Sequence, residues 1–226
     1  MSERELIMGR IRAALKTRAR QPGGHKPAST KVANSTPRQW LPKVGDGIDE
    51  QLALFARNVA GLKADFQLFQ SVEEMRQALV QMSDTEGWKR LAGHSGDLTN
   101  AICQALKLPL LRTDKAYAVN ELEQCDAGIS ECDALVAQTG SVLVTNRSAG
   151  GRALSVLPPH HVVLARRGQL VPDLPAAFEL LNRKYADNYP SMISFITGPS
   201  RTGDIERILV LGAHGPKRLT IFFLQD

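Results

Sequence analysis

The chain has 226 residues, of which 43% are apolar and 23% are charged, the proportions of an ordinary globular protein. No apolar run approaches the roughly 18 to 20 residues that a transmembrane helix needs, which excludes a membrane-spanning protein. The first ten residues, MSERELIMGR, lack the apolar core of a secretory signal, so we expect a cytoplasmic protein.

The net charge of +5 is unevenly distributed along the chain. Residues 1–47 hold ten Lys and Arg against three acidic residues, whereas residues 48–226 hold eighteen against twenty. Residues 3–18 have helical periodicity, and 21–47 are rich in Pro, Gly, Ser, Thr and Lys. We therefore predict a basic N-terminal helix and flexible arm, 1–47, followed by an α/β domain, 48–226.

The basic arm leaves two interpretations open, a solvated terminus or a segment that docks on an acidic surface or a nucleic acid. Nucleic-acid binding would make affinity fall steeply with salt. However, no aromatic residues are interleaved with the basic ones as base-stacking platforms. We therefore expect no nucleic-acid partner.

After residue 47, helical and extended patterns alternate. The first half reads as helix 49–59, strand 64–69, helix 71–82 opened by the capping box Ser71-Val-Glu-Glu74, strand 88–92, loop 93–97, helix 98–106, strand 110–112 and helix 119–125. The second half reads as strand 127–130, a helical turn at 133–136, strands 141–145 and 161–165, helix 175–186, strand 192–197, helix 204–209 and strand 218–224. This alternation predicts a mostly parallel sheet with helices on both faces.

The three cysteines, Cys103, Cys125 and Cys132, are an odd number at spacings that match no zinc or iron–sulfur pattern. We therefore predict buried free thiols, with no metal site and no cluster in this chain.

The segment Gly198-Pro-Ser-Arg-Thr-Gly-Asp-Ile-Glu206 follows a predicted strand and precedes a predicted helix. Ser200, Arg201 and Thr202 offer two hydroxyls and a planar guanidinium, which suit a carboxylate or phosphate, and Thr202 can cap the helix. Asp204 and Glu206 in the first helical turn oppose an anion there. A structural turn with Arg201 paired to Asp204 therefore remains an alternative.

Other loops carry candidate residues. His214 lies between glycines in Leu211-Gly-Ala-His-Gly-Pro216 and can act as a general acid or base or as a ligand contact; a turn histidine bonded to local backbone is the alternative. Thr139 and Gly140 precede a strand. His160 and His161 are adjacent on a strand, so their side chains point to opposite faces and do not chelate one ion.

Two of these segments, Ser194-Phe-Ile-Thr-Gly-Pro-Ser-Arg-Thr-Gly-Asp-Ile-Glu206 and Leu209-Val-Leu-Gly-Ala-His-Gly-Pro216, resemble the signature of the LutC/YkgG family of lactate-utilisation proteins, which carry the LUD domain. Similar, shorter matches are 133–141 and Leu157-Pro-Pro-His-His161, the latter assigning the family histidine to His161. The resemblance covers about 49–226. One departure is Gln138, where the family usually has Glu.

The resemblance implies a NagB/RpiA/CoA-transferase-like α/β fold and a cluster-free component of an iron–sulfur system that oxidises L-lactate to pyruvate. It implies two partner proteins that carry the clusters. Loops at the carboxyl edge of the sheet would hold a small carboxylate or dock those partners. Ser200, Arg201 and Thr202, with Thr139, Gly140 and His161, are the predicted ligand contacts, and His214 is the predicted base.

The alternative function is a separate enzyme of the same fold, an isomerase, CoA transferase or ligase acting on a small phosphorylated or acyl substrate. Such an enzyme needs a nucleophilic or basic carboxylate at a strand end. Glu131 is the candidate, and Gln138 in place of Glu counts against the idea.

Overall fold

The computed structural model describes residues 3–16, 41–205, 208–211 and 215–225. The chain divides into two compact units, Met1–Leu41 and Pro42–Asp226. In the first unit, helix α1 spans Glu3–Lys16, within the helix predicted at 3–18. Most of the predicted arm, 17–40, lies outside the described residues.

The core of the second unit is a six-stranded parallel sheet. Its strands, numbered along the chain, are β1 (Asp65–Phe69), β2 (Leu91–Gly93), β3 (Leu110–Arg112), β4 (Ala127–Glu131), β7 (His160–Arg166) and β12 (Arg218–Leu224). The spatial order is β1-β12-β7-β4-β2-β3, and each hydrogen-bonded pair is parallel. This confirms the mostly parallel α/β fold predicted from the sequence.

One face of the main sheet is covered by helices α3 (Val72–Glu86) and α4 (Asp97–Cys103). Helix α3 begins where the capping box predicts, because the Ser71 hydroxyl accepts a hydrogen bond from the Glu74 N–H. The apolar side chains of both helices pack on those of β4, β7 and β12. A short helix α5 (Val119–Glu123) precedes β4.

The other face is covered by helix α2 (Ile48–Gly61) and a second, four-stranded sheet. The strands of this second sheet are β5 (Ala134–Val136), β6 (Ser141–Thr145), β8 (Leu170–Val171) and β9 (Ile193–Ile196), in the order β8-β5-β6-β9. Helix α6 (Leu174–Tyr185) packs on its far side. The layers are therefore, in order, helices α3 and α4, the main sheet, helix α2 with the second sheet, and helix α6.

Two elements differ from the sequence prediction. The predicted helical turn at 133–136 is strand β5, three consecutive buried residues that pair with β6; so short an apolar run carries no period that separates helix from strand. The predicted helix at 204–209 is wrong. The chain there forms β10 (Arg201–Ile205) and β11 (Ile208–Leu211), which pair antiparallel, as their β-branched Ile and Val content favours.

Replacing Phe223 by Ala should lower the free energy of unfolding by about 3–5 kcal/mol, because it removes a fully buried ring from the core between the main sheet and α2. Phe178→Ala is the matched control, since this ring is 54% exposed on α6, and should cost about 1 kcal/mol or less. Guanidinium denaturation measures both. Equal losses would mean that the core is not where the structure places it.

Candidate functional site

The turn at 198–201, called here the signature turn, lies at the amino edge of the main sheet. The Ser200 N–H donates to the Pro216 carbonyl at 2.9 Å, and Pro216 lies two residues before β12 begins. Gly198 lies against Leu62, which precedes β1, since a Cβ on Gly198 would be 3.0 Å from the Leu62 carbonyl oxygen. The expected position at the carboxyl edge is therefore wrong for this turn.

A chain of hydroxyl groups joins the signature turn to the turn between β5 and β6. The Thr139 and Ser141 hydroxyls are 2.8 Å apart, and the Ser141 and Thr197 hydroxyls are also 2.8 Å apart. Thr197 is the residue directly before Gly198. The structure thus places the turn that contains Thr139 and Gly140 beside Thr197, at the start of the signature turn.

The β5–β6 turn is held by helix α2. The Asn58 side-chain amide donates to the carbonyls of Ala137, at 2.9 Å, and Gln138, at 3.0 Å. Gly140 has a φ of +67°, and a Cβ there would lie 2.9 Å from the Asn58 Cβ. Glycine is therefore required at 140 both by its backbone conformation and by the close approach of α2.

Gln138, the departure from the family pattern, has a structural role of its own. Its side-chain amide donates to the Pro42 carbonyl at 3.0 Å. A carboxylate is an acceptor and could not make this bond. The glutamine therefore ties the segment before α2 to the β5–β6 turn.

The remaining residues of the predicted site are placed as follows. The Arg201 side chain is exposed, and Ser200 is half-buried beside it. Thr202 lies in β10, so it is not a helix cap, and the cap prediction is wrong. His214 and the side chain of Thr202 lie outside the described residues. The geometry therefore places Ser200 and Arg201 at an accessible turn.

His161 is in the interior rather than at this surface. It is 0% exposed, and its Nε2 lies 2.9 Å from the Ser130 hydroxyl. The neighbouring His160 points to the opposite face of the sheet, with Nε2 2.9 Å from the Thr220 hydroxyl and its ring edge-on to Trp88. The two imidazoles do not converge, as the alternation along a strand predicts.

A cavity of about 340 Å³ lies at the other end of the main sheet, where the carboxyl ends of β2 and β4 meet. The chain leaves β2 for α4 on one face and leaves β4 for the second sheet on the other face. Open α/β sheets bind ligands at such a switch point. This carboxyl-edge cavity is lined by His94, Ser95, Gly96, Asp97, Glu131, Cys132, Arg147, Ser148, Gln169 and Lys184.

His94 and Glu131 are coupled at the floor of the cavity. The Glu131 N–H donates to His94 Nε2 at 3.1 Å, and burial lowers the pKa of this imidazole. One Glu131 carboxylate oxygen accepts from the Thr99 N–H at 3.1 Å. Because Gly96 at the N-cap of α4 has no side chain, Glu131 supplies the capping oxygen from another strand.

The opposite wall of the cavity comes from the second sheet and α6. Asp133 is buried and accepts from Lys184 Nζ at 2.6 Å and from the Tyr185 hydroxyl at 2.7 Å. Burial alone would raise the pKa of this carboxyl, but these hydrogen bonds hold it below its usual value. The Arg147 guanidinium lies over the Tyr185 ring, 5.3 Å from its centroid, and makes no ion pair within the described part of the chain.

A larger cavity, about 430 Å³, lies on the outer surface of α3. Its lining residues Glu73 and Arg76 pair with each other, and Asp84, the other charged residue of the lining, is exposed on the helix surface. The carboxyl-edge cavity is therefore the stronger candidate, although the sequence gave a chemical role only to Glu131 among its residues.

The cysteines are free and buried, as predicted. Burial raises the pKa of the Cys103 thiol to about 11 and also raises that of Cys125 and Cys132. Among the described residues no group of three or more His, Cys, Asp or Glu side chains could hold a metal ion. No helix in that same part of the chain is long and apolar enough to cross a membrane.

Comparison with known proteins supports the sequence resemblance. The LUD domain family model matches residues 52–224. Lactate utilization protein C of Halalkalibacterium halodurans is 35% identical over 116 residues, 50% of each chain, and that of Bacillus subtilis is 31% identical over 110 residues, 48% of this chain and 46% of the relative. The chain thus aligns with about half the length of these curated relatives.

A solved structure has a similar fold. It is a DUF162 family protein from Deinococcus radiodurans, with a TM-score of 0.62 and 19% sequence identity, over 79% of this chain and 98% of that one. At this identity the likeness shows the fold alone.

Two of the buried histidines, His160 and His161, should make the protein less stable in mild acid. Burial lowers the pKa of His160 to about 4 and that of His161 to about 3, whereas an unfolded histidine titrates near 6.5. Between these values only the unfolded chain binds the protons, so the free energy of unfolding falls as the pH drops from about 6.5 toward 4. Each histidine contributes at most about 1.4 kcal/mol per pH unit.

Denaturation of the wild type and of His161→Gln at about pH 7 and about pH 5 tests this dependence, because carboxylates contribute mainly below that range. Glutamine keeps a polar side chain near Ser130 but cannot titrate. The variant should lose less stability on acidification than the wild type. An equal loss in both proteins would show that His161 does not titrate as its burial requires.

Proposed function

This chain belongs to the LUD domain family, and we propose that it is a component of a lactate-utilisation system. In this proposal the system converts L-lactate to pyruvate with iron–sulfur clusters carried by two partner proteins, and this chain carries no cluster. The support is the name shared by its relatives, Lactate utilization protein C. The expectation that this chain holds no cluster rests on its three cysteines, whose spacings match no iron–sulfur pattern.

Within that system, the signature turn is proposed to be the surface that docks a cluster-bearing partner. Docking a partner fits the position of this loop better than holding a carboxylate does. The turn lies at the amino edge of the sheet, whereas small ligands of open α/β folds bind at the carboxyl edge. The exposed Arg201 is the kind of residue that anchors protein interfaces.

The ligand roles inferred from the sequence stay predictions. They are carboxylate contacts by Ser200, Arg201 and Thr202, ligand contacts by Thr139, Gly140 and His161, and His214 as base or orienting donor. Docking of a partner and binding of a carboxylate both require Arg201. Measurements on the Arg201→Ala variant distinguish these two roles.

One observation favours the alternative function, that of an isomerase, CoA transferase or ligase. Glu131 does lie at a strand end in the carboxyl-edge cavity. However, one of its oxygens caps α4 through the Thr99 N–H, which gives the carboxylate a structural role. We therefore keep the lactate-utilisation proposal first.

Arg201→Ala should weaken the association of this chain with its cluster-bearing partners by about tenfold or more, because an exposed guanidinium at the centre of a contact is lost. Co-purification and surface plasmon resonance with the two partner proteins measure the effect. Arg90→Ala is the matched control, since Arg90 bonds Gln124 beside β2, three strands along the sheet from β12, and should bind as the wild type does.

Two results would count against the proposal. If the wild-type chain binds neither cluster-bearing protein, membership of the system is rejected. If Arg201→Ala assembles normally but the isolated variant loses an affinity for L-lactate that the wild type shows, the turn holds the carboxylate and docking is wrong.

A further inference from the structure

We propose that the carboxyl-edge cavity is a binding site for a small hydroxy-monocarboxylate, with Arg147 on its carboxylate and His94 on its hydroxyl group. The inference rests on the proposed function only for the choice of L-lactate as the probe. The site itself is argued from the position, polar groups and charges of the cavity.

The position is the one that the topology of the sheet creates. Because α4 leaves β2 on one face and β5 leaves β4 on the other, the carboxyl ends of these adjacent strands are not covered by a common connection. The resulting cavity, about 340 Å³, is within the range that holds small molecules.

The hydrogen bond between His94 and Glu131 assigns the proton on the imidazole. A backbone N–H can only donate, so the bond from the Glu131 N–H makes His94 Nε2 an acceptor. Burial keeps the ring neutral, which leaves the proton on Nδ1. Within the described residues Nδ1 has no hydrogen-bond partner, and its N–H is a donor suited to a hydroxyl oxygen.

Glu131 completes the polar floor. One carboxylate oxygen is taken by the Thr99 N–H, and the other has no partner among the described residues. A free carboxylate oxygen accepts the proton of a hydroxyl group. The close approach of Glu131 also accounts for Gly96, because a Cβ there would lie 2.1 Å from a carboxylate oxygen of Glu131. The donor of His94 and the acceptor of Glu131 together match one hydroxyl.

The charges select a monocarboxylate over a phosphate. Lys184 is already neutralised by Asp133, so Arg147 is the cation that is left to meet an anion in the described lining. Glu131 and Asp97 place two negative charges on the other wall. A phosphate dianion would face net repulsion, whereas a single carboxylate is matched by one guanidinium.

The experiment titrates the full chain, without partners, with L-lactate, propionate and inorganic phosphate by isothermal calorimetry or ligand-observed NMR. The wild type should bind L-lactate. Propionate, which lacks the hydroxyl, should bind about tenfold more weakly, and phosphate should not bind better than propionate. Arg147→Ala and Arg147→Gln should each weaken L-lactate binding by about tenfold or more.

Arg183→Ala is the matched control, because Arg183 is an exposed arginine on α6 next to Lys184 and is not among the cavity residues. It should bind L-lactate like the wild type, and circular dichroism should show all variants folded. The proposal is overturned if the wild type does not bind L-lactate up to about 10 mM, if both Arg147 variants bind normally, or if phosphate binds as well as L-lactate. Partner binding is measured in a separate experiment. A chain that fails to assemble with its partners can therefore still be tested for L-lactate binding.

Discussion

The need to bury both faces of the parallel sheet determines the rest of the structure. The strands β7 and β12 at its centre are almost entirely buried, and a parallel sheet is stable only when both faces are covered. Two helices cover one face. On the other face the chain uses α2 and a second sheet, an addition that carries Thr139 and Gly140 at one end and Arg147 at the other.

The second sheet acts at both ends of the main sheet. At the amino end, its β5–β6 turn and the residue after β9 form the hydroxyl chain that supports the signature turn. At the carboxyl end, the turn after β6 carries Arg147, and α6 packed on the same sheet carries Lys184. The proposed partner surface and the proposed ligand cavity therefore lie at opposite ends of the main sheet and share no residues.

Much of the fold was predictable from residue patterns. The strand Arg218–Leu224 was predicted with its observed bounds, because a run of Ile, Phe and Leu between turn residues describes a buried strand. The hairpin at 201–211 was not, since Ile205 and Ile208 have the three-residue spacing of a helix as well as β-branched side chains. Local spacing cannot decide between the two when pairing with a neighbouring strand supplies the stability.

The candidate site was less predictable than the fold. The turn containing Ser200 and Arg201 could be found because its residues are contiguous. Its position at the amino edge of the main sheet depends on the second sheet, and the sequence pattern did not reveal that sheet. The cavity residues His94, Glu131 and Arg147 come from separate elements, and the bond that fixes the imidazole is made by a backbone N–H. The available signals were Glu131 at the end of a strand and the loop at 93–97, which contains adjacent His and Ser residues.

The distribution of the three cysteines has a practical consequence. Cys103 belongs to the core under α3 and α4, Cys132 to the core between the two sheets, and Cys125 to the smaller cluster beneath α5. Each thiol is therefore a natural probe of a different packed region, shielded from alkylating reagents until that region opens. Pulsed thiol labelling followed by mass spectrometry would record the order in which the layers separate, with no engineered label in the chain.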